Sequence, residues 1–126
     1  MTRVNCVPVQ ELTKEHLIAE YKELPRIAKL ALSRFEKDPN YQPPPTYRLN
    51  KGHMLFFVDK GGWLAKRHKE LVTEMISRGY NVNFPEYPIH VHPKSWMGNW
   101  DPTPEAIAIS RERIHLRLQE AYNRRV

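Results

Sequence analysis

The sequence predicts an all-α fold, a compact single domain of three main helices with long ordered loops, on three observations. Helical apolar periodicity recurs in three segments, capping or stop residues punctuate their ends, and no run of alternating β-branched residues lies between hairpin turns. At 126 residues the chain has the usual size of one domain, so one core spanning residues 1–126 is expected.

The first helix is expected over about residues 13–37, where Leu17, Tyr21, Leu24, Ala28, Ala31 and Phe35 recur at spacings of three and four. Pro25 lies inside it. A proline there removes one backbone hydrogen bond and crowds the preceding turn, so a kink within one helix is expected and not two helices. Residues 38–50 contain Pro39 and the run Pro43-Pro44-Pro45, which favours an extended surface connection. Met54, Leu55, Phe56, Phe57 and Val58 form an apolar run too short to classify by period; it reads as buried connecting chain with room for a helical turn.

A second helix is expected over about residues 62–78, with Leu64, His68, Leu71, Val72 and Met75 on one side and Gly79 as its stop. Residues 80–101 are rich in proline and aromatics without a period, and a structureless stretch of that length inside a domain is a functional candidate. The third helix opens at Thr103-Pro104-Glu105, a hydroxyl cap followed by proline and an acid, and should run to about residue 123 with Ile107, Ile114, Leu118 and Ala121 facing the core.

No apolar run approaches the ~20 residues that span a bilayer, and the start MTRVNCVPVQEL has no signal-peptide pattern, so a cytoplasmic protein without membrane contact is expected. Cys6 is the only cysteine, which excludes an internal disulfide and a thiolate-rich metal site. The pair His90 and His92 lacks a third ligand in sequence and reads as loop histidines; no metal is expected. The net charge of +6 points instead to a polyanion, with nucleic acid the leading partner.

Placement of the charge sharpens this. On a wheel of about 100° per residue, Lys22, Arg26 and Lys29 fall opposite the apolar face of the first helix, while His16 and Glu23 share its border. Arg113, Arg117 and Arg124 form one stripe on the third helix. Two basic stripes beside one core suit a helical protein laid on a duplex backbone. Taken singly these features are ordinary: charged faces are usual on exposed helices, Glu23 and Arg26 are spaced for a surface ion pair, and one histidine is more often packed or solvated than catalytic.

The blocks MTRVN at 1–5, HL at 16–17 and AEYKELPR at 19–26, then Gly52-His53, Phe56 to Lys60 as FFVDK, Leu64, Lys66, Arg67, and AIAIS followed by Arg113 and Arg117, carry a resemblance over most of the chain. The sequence resembles the pyrimidine-dimer DNA glycosylases of the phage endonuclease V type. That resemblance implies a compact three-helix domain, no cofactor, and double-stranded damaged DNA as partner; a monomer is the simplest expectation for its oligomeric state. It implies two catalytic residues, Thr2 and Glu23. Once Met1 is removed, the α-amine of Thr2 would be the nucleophile; such an amine titrates near 7.7–8.0 against about 10.4 for lysine and so is far more often unprotonated at neutral pH. Glu23 would stabilise positive charge growing on the sugar and assist proton transfers. An imine on Thr2 would then serve both base excision and β-elimination at the abasic site. Arg3, His16, Lys22, Arg26, Arg113 and Arg117 match positions that approach DNA in the family, whose members also extrude the adenine opposite the dimer.

Lys22 and Arg117 exchange one cation for the other relative to the phage-type pattern, and residues 121–126, AYNRRV, hold no counterpart of its aromatic-rich tail. Trp96 and Trp100 either supply an aromatic DNA surface in its place or plug the gap between helices. Two other readings stay open from sequence: a glycosylase/lyase for a different base lesion, and a helical DNA-binding protein that does no chemistry.

Overall fold

The computed structural model describes residues 4–125. Among them there are helices and no strands; the nearest to sheet is a single bridge between Lys60 and Met97. No helix among them is long and apolar enough to cross a membrane.

The first helical segment is two helices, α1 over Lys14–Glu23 and α2 over Arg26–Lys37, which corrects the single kinked helix expected from sequence. Thr13 caps α1 by accepting the His16 N–H at 3.3 Å. Leu24 and Pro25 keep right-handed helical dihedrals, yet Pro25 has no N–H to continue the ladder. The next bonds tighten to three-residue spacing, Ile27 N–H to Leu24 O at 3.1 Å and Ala28 N–H to Pro25 O at 3.2 Å. The apolar stripe survives this break: Leu17, Tyr21, Leu24, Ala28 and Ala31 are all buried and Phe35 packs at the edge.

The proline-rich connection leads into a single helical turn, α3, over His53–Phe56, and the run Phe56, Phe57 and Val58 is fully enclosed. Helix α4 spans Gly61–Ser77 and buries the five side chains expected of it, Leu64, His68, Leu71, Val72 and Met75. At its start a Cβ on Gly62 would stand 2.9 Å from the Met97 carbonyl oxygen, so only glycine lets the loop close over the helix end. Gly79 ends α4 at φ +82, with its N–H on Ile76 O and the Tyr80 N–H on Met75 O, the paired bonds that terminate a helix through a left-handed residue.

Residues 80–101 are anchored to the core at several points. Tyr21 Oη accepts the N–H groups of Asn83 and Phe84 at 2.8 and 2.9 Å, and its ring stacks on Phe84 at 4.3 Å. Trp96 is buried against Phe35 and Tyr41, while Trp100 packs among Tyr47, Phe56, Phe57 and Trp63. Trp96 therefore plugs the interior and Trp100, half-buried, packs against it, which favours the packing role over an aromatic DNA surface. His92 is buried with Nε2 2.6 Å from Tyr87 Oη, whereas His90 is exposed.

Helix α5 covers Pro104–Arg125, capped by Thr103 Oγ1, which accepts the Ala106 N–H at 3.0 Å. Among its residues whose burial is described, only Ala106, Ser110 and Ile114 are buried. Leu118, expected in the core, is 40% exposed, because it stands on a surface hollow beside Val7, Glu11 and Arg111 and is not covered there; Ile107 and Ala121 are half-buried.

The segment before α1 gave no periodic signal, yet Val4, Asn5, Cys6, Val7, Val9 and Leu12 are buried, with a turn of 3-10 helix at Val9–Glu11. It threads the interior as an extended chain with no strand beside it among the described residues.

Candidate active site and nucleic-acid interface

A buried polar group must find a partner or carry a penalty of about 1–3 kcal/mol. A chain without a partner strand among the described residues faces that problem at every residue, and five side chains, Glu20, Tyr47, His53, Arg67 and Ser110, meet it for the N–H groups of residues 4–6 and the carbonyls of Val4 and Val7. Val4 N–H donates to His53 Nε2 at 2.8 Å, and Tyr47 Oη donates to the Val4 carbonyl at 3.1 Å. Asn5 donates to Glu20 Oε1 through both its backbone N–H, at 3.2 Å, and its side-chain amide, at 3.0 Å. Cys6 N–H reaches Ser110 Oγ at 3.2 Å. Arg67 Nη1 donates to Val7 O at 2.6 Å, while its Nε and Nη2 meet the two Glu20 oxygens at 2.7 and 3.2 Å.

The Glu20 and Arg67 side chains are 0% and 4% exposed. Burial works against the Arg67 charge, but the Glu20 carboxylate beside it prevails and holds the guanidinium above its ordinary value. Burial likewise pushes the Cys6 thiol up to about 11, so it is a protonated core residue and no nucleophile at neutral pH. His68 and His92 are shifted down, chiefly by burial, and stay neutral.

Against this scaffold a cleft of about 310 Å³ opens between α1 and the second half of α5. Asn5 and Glu20 form its inner side, His16, Ala19 and Glu23 line the α1 side, and Arg113, Ile114, Arg117 and Arg124 line the α5 side. The spacing makes this possible: residues 16, 19, 20 and 23 share one face of α1, and 113, 117 and 124 share one face of α5. The structure thus brings together four site residues expected from sequence, His16, Glu23, Arg113 and Arg117.

Glu23 is half-buried, as its border position predicts, and among the described residues its carboxylate has no hydrogen-bond or ion-pair partner; the surface pair with Arg26 does not form. Arg113 Nε is buried without a partner among these residues, a donor in the cleft wall waiting for an acceptor. Arg117 reaches Glu120 only at 3.5 Å, and both side chains are about half exposed. His16 is oriented by its own cap, Nδ1 lying 2.8 Å from Thr13 Oγ1.

Lys22 and Arg26 stand outside the cleft. They line an adjoining hollow of about 460 Å³ with Lys14, Glu15 and Ile18, and Glu23 borders both hollows. Thr2 and Arg3 lie outside the described residues. A larger hollow of about 550 Å³, between Val9, Trp63, Lys69 and Thr73, holds none of the expected site residues. Among the described residues, no three His, Cys, Asp or Glu side chains gather as metal ligands.

Sequence reasoning missed Asn5, Glu20 and Arg67. A signal was present: Glu20 shares the apolar stripe of Leu17, Tyr21 and Leu24, and Arg67 that of Leu64, His68 and Leu71. Opposite charges on two core-facing stripes are a buried pair in the making.

A helical body of net charge +6, with a carboxylate that has no partner among the described residues facing three arginines across a cleft, defines an enzyme-like site for a phosphate-bearing polymer. The sequence matches the family of pyrimidine dimer DNA glycosylases over residues 1–87, and the chain belongs to that family. It is accordingly a DNA-repair glycosylase that acts on damaged DNA. The match takes in Glu23 and the whole α1 side of the cleft; the arginines of α5 lie beyond it.

Proposed function

We propose that the chain, acting as a monomeric single domain, excises cyclobutane pyrimidine dimers and then cleaves the abasic strand, with the Thr2 α-amine as nucleophile and Glu23 as the assisting carboxylate. The amine's lone pair attacks C1′ of the dimer's 5′ nucleotide, the glycosidic bond breaks, and its electron pair leaves with the base. Loss of a proton and opening of the sugar give a protonated imine between Thr2 and C1′. The imine draws electrons from C2′, a proton leaves there, and the 3′ phosphate departs by β-elimination; water then releases the enzyme. Glu23 balances the positive charge that builds on the sugar and carries protons between steps.

The observation that carries this reading is the half-buried Glu23, without a partner among the described residues, in a cleft whose inner side includes Asn5. Asn5 is three residues from Thr2, so whatever path the chain takes the amine stays within roughly 11 Å of that wall. Arg113 and Arg117 serve as phosphate ligands from α5, with Lys22, Arg26, His16 and Arg3 extending the DNA track.

Borohydride reduction on abasic-site DNA tests the nucleophile. A covalent complex is expected, mapping to the amine of Thr2, and an uncleaved N-terminal extension should abolish it without unfolding the protein. An adduct on an internal lysine would overturn the assignment.

The arginines make a second expectation. Arg26→Ala, Arg113→Ala and Arg117→Ala should each weaken binding to damaged and undamaged duplexes alike and lower the slope of log affinity against log salt by roughly 0.9. Anisotropy titrations across a salt series read this directly. Unchanged slopes in all three would remove the proposed DNA face.

A further inference from the structure

We propose that His53 is a positioning residue for the nucleophile: by accepting the Val4 N–H it fixes the point from which the terminal amine is tethered. This rests on the reading of Thr2 as nucleophile and adds the device that aims it.

Val4 is held in three ways. Its side chain is 0% exposed, its N–H donates to His53 Nε2 at 2.8 Å, and its carbonyl accepts from Tyr47 Oη at 3.1 Å. Beyond it only two residues of the mature chain lead to the Thr2 amine, a reach of roughly 7 Å. An error at Val4 is therefore passed to the amine with little chain to absorb it.

The chemistry of His53 is determined on both sides of the ring. A backbone N–H can only donate, so Nε2 must be the unprotonated nitrogen, and the proton sits on Nδ1, which donates to Arg48 O at 2.7 Å. The ring is 2% exposed and packed edge-on against Tyr47 and Phe57, 5.5 and 5.6 Å between centroids, so it has one orientation. It comes from the single helical turn α3, and Gly52, at φ +86, makes the bend that brings it under the N-terminal chain. This gives a use to that turn, which contributes no residue to the cleft.

The test is the single-turnover rate of trappable imine formation on abasic-site DNA at saturating enzyme, with DNA affinity measured separately and the wild-type adduct mapped. His53→Phe keeps a ring but can accept nothing from Val4; imine formation should slow by roughly 10- to 100-fold at unchanged DNA affinity. His53→Gln can place Oε1 where Nε2 stood and should restore most of the rate. Tyr47→Phe removes only the hydroxyl on Val4 O and should also be slower. Leu71→Ala, a core variant far from Val4 in sequence, controls for stability loss alone and should react at the wild-type rate.

A wild-type rate in His53→Phe, or a His53→Gln rate as low as that of His53→Phe, would overturn the positioning role. If His53→Phe does not fold, a wild-type rate in Tyr47→Phe overturns it. An adduct that maps away from Thr2 in the wild-type protein fails the underlying reading instead, whatever the variants do.

Discussion

Glu23→Gln should lose dimer excision by at least about 10²-fold while binding lesion DNA as well as the wild-type protein or better. The carboxylate is half-buried without a partner among the described residues and opens onto the cleft that Arg113, Arg117 and Arg124 face. Replacing it with an amide of the same shape leaves no broken ion pair behind, so stability should change by no more than about 0.5 kcal/mol. It also removes a negative charge from a surface meant for phosphates, which is why affinity should not fall. Excision of a defined dimer duplex under single-turnover conditions, with anisotropy for binding, separates the two effects. Wild-type excision by this variant would mean that the chemistry uses another group.

Arg67→Met should do the reverse, costing about 3–5 kcal/mol of stability, because it strands the Glu20 carboxylate in the interior and takes the donor from Val7 O. For a domain whose whole stability is about 5–15 kcal/mol, that is a large fraction. Adding Glu20→Gln removes the stranded charge and keeps an acceptor for Asn5, so the double variant should recover much of the loss. Urea denaturation reads it as a shift in midpoint at constant slope. A loss below about 1 kcal/mol for the single variant would mean the pair is solvated and easily replaced. Glu20 and Glu23 stand three residues apart on one helix, and the two experiments assign one to the fold and the other to the reaction.

The helices were legible because each buries a stripe whose period survives in the order of residues: Leu64, His68, Leu71, Val72 and Met75 define α4 without any knowledge of what they touch. Pro25 was read correctly as a disturbance but not in degree, since hydrogen-bond loss at one residue is local while the continuation of the helix depends on how the next turn closes. The exposed second half of α5 could not be read, because apolar spacing at Leu118 says which way a side chain points and not whether anything stands there. Half of the cleft was visible as borders and stripes on helices. The chain at residues 4–7 was invisible for a plain reason: its partners are side chains, and side-chain partners leave no period in the segment they hold.

Those partners are also distant along the chain. Val4 is bonded across 49 residues to His53, Val7 across 60 to Arg67, and Cys6 across 104 to Ser110. Contacts that close such long loops form late, after local helices have brought their ends together. Residues 4–7 are thus expected to be seated late, once α5 has formed. On the proposed mechanism, the reactive amine is aimed only when that final docking is complete, and a half-made chain carries the nucleophile without the means to use it.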